Sequence, residues 1–156
     1  MQTVKEYFSL LYIIYISVVI ASCLFLVFSL ITIEANSFSE HDIPYIISTG
    51  VVMIVGYILS YLYSKKKIKE AKQKRGLREK LTDYRKVLFI PWIIISITII
   101  FSIICYTITG EHLFVCTTLF SLVIFLLNKP SRRNLIERLD LENDEQQILE
   151  NPKSAI

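Results

Sequence analysis

The chain has 156 residues, of which 53% are hydrophobic and 20% are charged, and its formal net charge is +3. Four long runs contain no Asp, Glu, Lys, Arg or His. The remaining polar residues are too few to cover four such runs with a hydrated surface, which excludes a water-soluble globular domain.

The four uncharged runs predict membrane-spanning helices. A helix needs about 20 apolar residues to cross the hydrocarbon core, with a range of about 17–25. The first three runs satisfy that length, and the fourth is short, although Asn128 and Lys129 can reach from it toward the interface. The predicted spans cover about residues 8–33, 43–64, 87–109 and 113–128.

The Lys and Arg residues lie on one side of these spans. The linker 65–86 holds eleven of them against three acids, whereas the turns Glu34–Asp42 and Glu111–His112 hold none. Short loops rich in Lys and Arg stay in the cytoplasm. We therefore predict a bacterial inner-membrane protein with both termini and the linker inside and the two acidic turns outside.

The predicted fold is all-α, a four-helix transmembrane bundle of two helical hairpins that occupies residues 1–141. Pro44 fits the first turn of the second helix, and Gly76 is a plausible break within the linker. Ser131 is a candidate cap for a short amphipathic helix after the fourth span. Residues 142–156 belong to an acidic segment and predict a flexible cytoplasmic tail.

Small residues in the second span predict a helix-packing seam. Gly56 and Ser60 are four residues apart, a spacing at which small side chains let two helices approach closely. The seam predicts that a leucine at position 56 destabilises the fold or its assembly.

Tyrosines of the first two spans admit two interpretations. Tyr15 and Tyr57 come to a similar depth on the cytoplasmic side, and buried phenols seek hydrogen-bond partners. They either bond between helices, with Trp92 in an interfacial aromatic belt, or line a polar cleft between the first two helices.

A run of lysines follows the second span directly. Such clusters attract anionic headgroups with about 1 kcal/mol per Lys or Arg near the surface. The run either serves only to orient the chain or contacts anionic lipid, and no recognition fold points to nucleic acid. Its members are Lys65, Lys66, Lys67 and Lys69.

The outer turns bring two histidines close to carboxylates in sequence. Glu40-His41-Asp42 and Glu111-His112 are either solvated turn residues or, if the turns meet, ligands for a divalent metal. We predict no metal site, no cofactor and no catalytic residue, because no phosphate loop, metal-ligand helix motif or nucleophile elbow occurs.

Short stretches of the second half carry a resemblance to known proteins. These are Glu79–Arg85, Ile104–Gly110, and Pro130-Ser131 followed by Leu139–Leu141. On them, residues 77–141 resemble uncharacterised small four-span membrane proteins of Bacteroidota-type bacteria, which implies an integral membrane protein and no particular activity. Members of that group have an Arg-aromatic pair and then a Glu within the third span, whereas residues 91–96 here are uncharged.

The sequence thus favours a non-catalytic membrane protein, not an enzyme. Its expected partners are the lipid bilayer and either a second copy of itself, as a homo-oligomer, or a larger inner-membrane complex. Two alternatives stay open: a small transporter or channel subunit that acts as an oligomer, and a membrane protein that binds anionic lipids.

Overall fold

The computed structural model describes residues 3–34, 39–74, 76–141 and 143–151, and within them the chain is all-α, without a strand. A single 3-10 turn at Glu40–Asp42 precedes the second helix. The helices are α1 (Val4–Thr32), α2 (Ile43–Lys72), α3 (Leu77–Thr109), α4 (His112–Leu127), α5 (Arg132–Leu139) and α6 (Asn143–Glu150).

Local sequence signals set several helix ends. Pro44 lies in the first turn of α2, and the break between α2 and α3 falls next to Gly76, as predicted. Gly110 ends α3 in the left-handed conformation, with φ 70°, a region that glycine enters without steric cost. Ser131 stands at the N-cap of α5, although its side chain makes no capping hydrogen bond.

Three helices, α1, α2 and α3, are long and apolar enough to cross a membrane. The fourth predicted span, 113–128, coincides with α4, which has only 16 residues. By length and composition α4 qualifies only together with α5, and that pair is bent by 73°.

Helix α3 is the centre of the bundle. Half of its most apolar 18-residue window is buried inside the protein, against 17% for α1 and 6% for α2. It packs against α1, α2 and α4, and its contact with α2 is the most extensive in the molecule. This differs from the predicted pair of hairpins, because α2 packs mainly on α3 and not on α1.

One end of the bundle collects the basic residues and is called here the basic end; the opposite end, with the turns at 39–42 and 110–112, is called the acidic end. At the basic end the start of α1, the last turn of α2, the start of α3, and helices α5 and α6 share one apolar core. Its fully buried side chains include Val4, Ala71, Leu81, Leu135 and Leu149.

Within the segment expected to be a flexible tail, residues 143–150 form α6. Leu149 is only 1% exposed, since it packs into the core of the basic end. Residues 142 and 152–156 lie outside the described part of the chain.

Candidate functional site

A cleft of about 540 Å³ opens at the basic end between α2, α3, α4 and α5. Its origin is a difference in helix length, since the 30 residues of α2 extend about 45 Å and the 16 residues of α4 about 24 Å. Where α4 stops, α5 bends away by 73° and leaves space beside α2. The lining residues are Tyr57, Ser60, Tyr61, Ser64, Lys65, Ile68, Pro91, Ile95, Ile124, Asn128 and Arg138.

The lining of the cleft combines apolar side chains with polar groups. Pro91, Ile95 and Ile124 supply the apolar wall. Hydroxyl groups come from α2, where residues spaced by four share one helix face. Ser60 and Ser64 each bring a hydroxyl group from this helix to the lining of the cleft.

Two cations stand among the lining residues, and none of the lining residues is acidic. Lys65 comes from α2 and Arg138 from α5, so the positive charge approaches the cleft from two sides. A guanidinium presents several N–H donors in a fork that suits carboxylate or phosphate oxygens, and an ammonium adds a mobile point charge. The cleft therefore suits a molecule with an anionic head and an apolar body.

The four lysines predicted to contact lipid headgroups do not all lie at the cleft. Only Lys65 lines the cleft, while Lys66 and Lys69 are exposed elsewhere around the helix. Lys67 forms an ion pair with Glu70, beyond the predicted span, and this pair holds the pKa of the Glu70 carboxyl below its usual value. Consecutive helical residues point in different directions, which separates the four lysines.

The small-residue seam of α2 lies against α3. A Cβ built on Gly56 would meet Cγ2 of Ile94 at 3.1 Å and Oγ1 of Thr98 at 3.4 Å, so the two helices are close at this point. Ser60, one turn further along α2, is buried and forms part of the cleft. Gly56 thus packs within the bundle and not on an outer face.

The two tyrosines predicted at equal depth have different roles. Tyr57 lines the cleft and donates a hydrogen bond from its hydroxyl to Oγ of Ser121 at 2.8 Å. Tyr15 donates to the carbonyl oxygen of Leu126 at 3.1 Å and is not among the cleft residues. One alternative placed a polar cleft between the first two helices. The cleft described here lies instead between α2 and the three helices that follow it.

Two aromatic side chains donate hydrogen bonds to backbone carbonyl groups at the C-terminal end of α4. The last carbonyl groups of a helix have no partner within it, and a bilayer offers little water to replace one. Trp92 donates from its indole nitrogen to the carbonyl oxygen of Asn128 at 3.1 Å, in addition to the Tyr15 bond to Leu126. Trp92 is only 3% exposed, and its hydrogen bond to the end of α4 is a role that its apolar neighbours in sequence did not reveal.

Replacing Trp92 with phenylalanine is expected to lower the free energy of unfolding by about 1–2 kcal/mol. It removes a hydrogen bond between helices, which averages roughly 0.6 kcal/mol and reaches about 1.7 kcal/mol, and it leaves space where the larger indole ring packed. Tyr15→Phe removes only the hydrogen bond and should cost about 0.6 kcal/mol. Far-UV circular dichroism during a titration from mild detergent into dodecyl sulfate gives the measurement. Tyr12→Phe is the control on the same helix, since Tyr12 is 45% exposed, and an equal loss in Tyr12→Phe and Tyr15→Phe would count against the capping role.

The acidic end does not gather metal ligands in the described part of the chain. Among those residues, no group of three or more His, Cys, Asp or Glu side chains is placed to hold a metal ion. Asp42 instead accepts a hydrogen bond from the backbone nitrogen of Ser39 at 2.9 Å, and His112 lies 6.5 Å from the ring of Tyr106. The side chain of Glu40 is outside the described set.

The role of the cleft rests on its geometry alone, because comparison with other proteins adds none. The resemblance of residues 77–141 to small Bacteroidota-type membrane proteins stays a prediction for that reason. No protein-family model, curated protein or solved structure matches this chain.

Proposed function

We propose that this chain is a non-catalytic integral membrane protein that binds an anionic amphiphile, of the phospholipid class, in the cleft at the basic end. The observation that carries the proposal is the pairing of Lys65 and Arg138 beside an apolar wall, with no acidic residue in the lining. A phosphate would lie between the two cations, and the start of an acyl chain would contact Ile95 and Ile124.

The size and position of the cleft support this ligand class. Pockets for small molecules commonly measure about 300–1,000 Å³ and combine apolar walls with a few polar groups. Basic pockets between membrane helices on the cytoplasmic side bind lipid headgroups. The hydroxyls of Ser60 and Ser64 would donate to phosphate or glycerol oxygens.

The proposal includes an orientation. The basic end faces the cytoplasm of a bacterial inner membrane, both termini are inside, and α4 with α5 completes a fourth, bent span. The distribution of Lys and Arg supports it, because the segments at the acidic end carry none. A headgroup bound at Lys65 and Arg138 would then belong to the cytoplasmic leaflet, where anionic lipids are abundant.

Native mass spectrometry of the purified protein, titrated with phosphatidylglycerol and with phosphatidylcholine, tests the proposal. We expect phosphatidylglycerol to bind preferentially, and Lys65→Gln or Arg138→Gln to weaken it about five-fold, the equivalent of about 1 kcal/mol per basic residue.

Lys66→Gln is the matched control, because Lys66 is a neighbour of Lys65 but does not line the cleft. It removes the same charge and should leave the affinity for phosphatidylglycerol nearly unchanged. If Lys65→Gln and Lys66→Gln weaken phosphatidylglycerol binding equally, the lipid is attracted nonspecifically by a basic surface, and the proposal is overturned.

Binding of a second copy or of another membrane protein is a second candidate function. The observation that favours it is an apolar groove of about 530 Å³ between α1 and α3, lined in part by Ile14, Val18 and Ile97. The Gly56 seam and the carboxylate of Glu145 make contacts inside the chain, so the partner would use this groove and not those residues. A defined oligomer or heteromer in the same mass spectra would support this candidate.

A further inference from the structure

We propose that the ion pair between Lys80 and Glu145 is a clasp that holds Arg138 in place at the cleft, so that Lys80 and Glu145 are positioning residues for the bound anion. The inference rests on the proposed function, since it assigns the control of that same cleft. Neither residue lines the cleft, and both act through α5 and α6.

The ion pair is placed to anchor α6 on α3. The ammonium of Lys80 contacts both carboxylate oxygens of Glu145, at 2.7 and 2.9 Å. Their side chains are 9% and 14% exposed, so water and salt screen the pair much less than a surface ion pair. Breaking such a pair by removing one partner leaves a poorly hydrated charge, which makes the contact decisive for where α6 lies.

Arg138 is connected to this anchor by a short piece of chain. It lies in α5, a helix of eight residues, which is too short to be stable in isolation and depends on its contacts. Leu139 and Leu141, between Arg138 and α6, are 1% and 5% exposed and pack into the same core as Leu149. Displacement of α6 would therefore disturb the packing that fixes α5 and the direction of Arg138.

A buried hydroxyl without a partner adds an energetic cost to the packed arrangement of α5 and α6. Tyr84 lies one helical turn after Lys80 on α3 and is fully buried, yet its hydroxyl has no hydrogen-bond partner among the described residues. An unsatisfied buried donor disfavours the state that buries it. Because Tyr84 belongs to the same apolar core as Leu139 and Leu149, this cost falls on the packed state of α5 and α6, and the ion pair acts against it.

A double-mutant cycle on phosphatidylglycerol affinity, again by native mass spectrometry of the full chain, tests the clasp. Glu145→Gln is expected to weaken binding up to about five-fold, approaching the effect of Arg138→Gln, because it acts only by releasing Arg138. The double variant Arg138→Gln/Glu145→Gln should then bind no more weakly than Arg138→Gln alone. Lys65→Gln should still weaken binding further in the Glu145→Gln background.

A variant with the two charges exchanged distinguishes a loss of Arg138 positioning from general damage to the fold. Lys80→Glu/Glu145→Lys restores an ion pair between the same positions and is expected to restore affinity to within about two-fold of the natural chain, since the two charges still attract at close range. Helix content and the fluorescence of Trp92, the single tryptophan, report whether each variant is folded.

The possible failures are distinguishable. If Lys65→Gln and Arg138→Gln leave phosphatidylglycerol binding unchanged, the proposed function itself is wrong. If they weaken it while Glu145→Gln does not, or if the effects of Glu145→Gln and Arg138→Gln multiply in the double variant, the cleft stands and the clasp is overturned.

Discussion

Replacing Phe125 with alanine is expected to lower the free energy of unfolding by roughly 2–3 kcal/mol. Phe125 is fully buried, and its ring centroid lies 5.2 Å from that of Tyr15 and 6.0 Å from that of Trp92. Phe→Ala in water-soluble cores costs about 3–5 kcal/mol, part of which is the transfer of the side chain out of water. In a bilayer the transfer term is nearly absent because lipid tails are as apolar as a protein core, so the lost packing and the cavity remain.

Phe120→Ala provides the control for this prediction. Phe120 lies on the same helix and is 54% exposed, so lipid contacts it in the folded chain and would fill the space left by its removal. Its replacement should change the stability by less than about 0.5 kcal/mol, as for surface substitutions in general. Unfolding with dodecyl sulfate, followed by circular dichroism, measures both, and equal losses would show that Phe125 is not a packing centre.

The sequence predicted the helices well because their signals are local. Pro44 and Gly76 mark helix ends by backbone geometry that does not depend on distant residues. The absence of charge over long runs likewise predicted membrane-length helices before any packing was known.

The arrangement of those helices was not predictable in the same way. The most apolar windows of α1 and α3 have the same mean hydropathy, 2.7, yet 17% of the first and 50% of the second are buried. Hydropathy measures how strongly a side chain prefers apolar surroundings to water, and both the lipid and the protein interior are apolar. A sequence pattern of this kind therefore cannot tell which helix is central.

The candidate site depends both on local sequence signals and on the arrangement of the helices. The lysine run singled out Lys65 in the sequence, but nothing in the sequence connected Arg138 with it. The two residues line one cleft because α4 is short and the chain bends between α4 and α5. The acidic composition of residues 142–156 likewise gave no sign of α6 or of the ion pair between Glu145 and Lys80, because that pair joins residues far apart in the sequence.

The predicted effect of a leucine at position 56 now has a structural cause. A Cβ on Gly56 already meets Ile94 at 3.1 Å, a distance at which the neighbour must move by a few tenths of an ångström. The three further carbons of leucine would force α2 away from α3 along the most extensive helix contact. We expect Gly56→Leu to destabilise the protein by an amount near the upper end of about 1–3 kcal/mol for overpacking.

Gly50→Leu isolates that contact from the intrinsic preference of leucine for helices. Both glycines lie in α2, so each substitution gains up to about 1 kcal/mol of helix propensity. A Cβ on Gly50 meets nothing within 4 Å, which leaves this position without the clash. Gly50→Leu should therefore be neutral or slightly stabilising in dodecyl sulfate unfolding, while Gly56→Leu lowers the midpoint. Similar midpoints for the two variants would mean that α2 and α3 are not in close contact at Gly56.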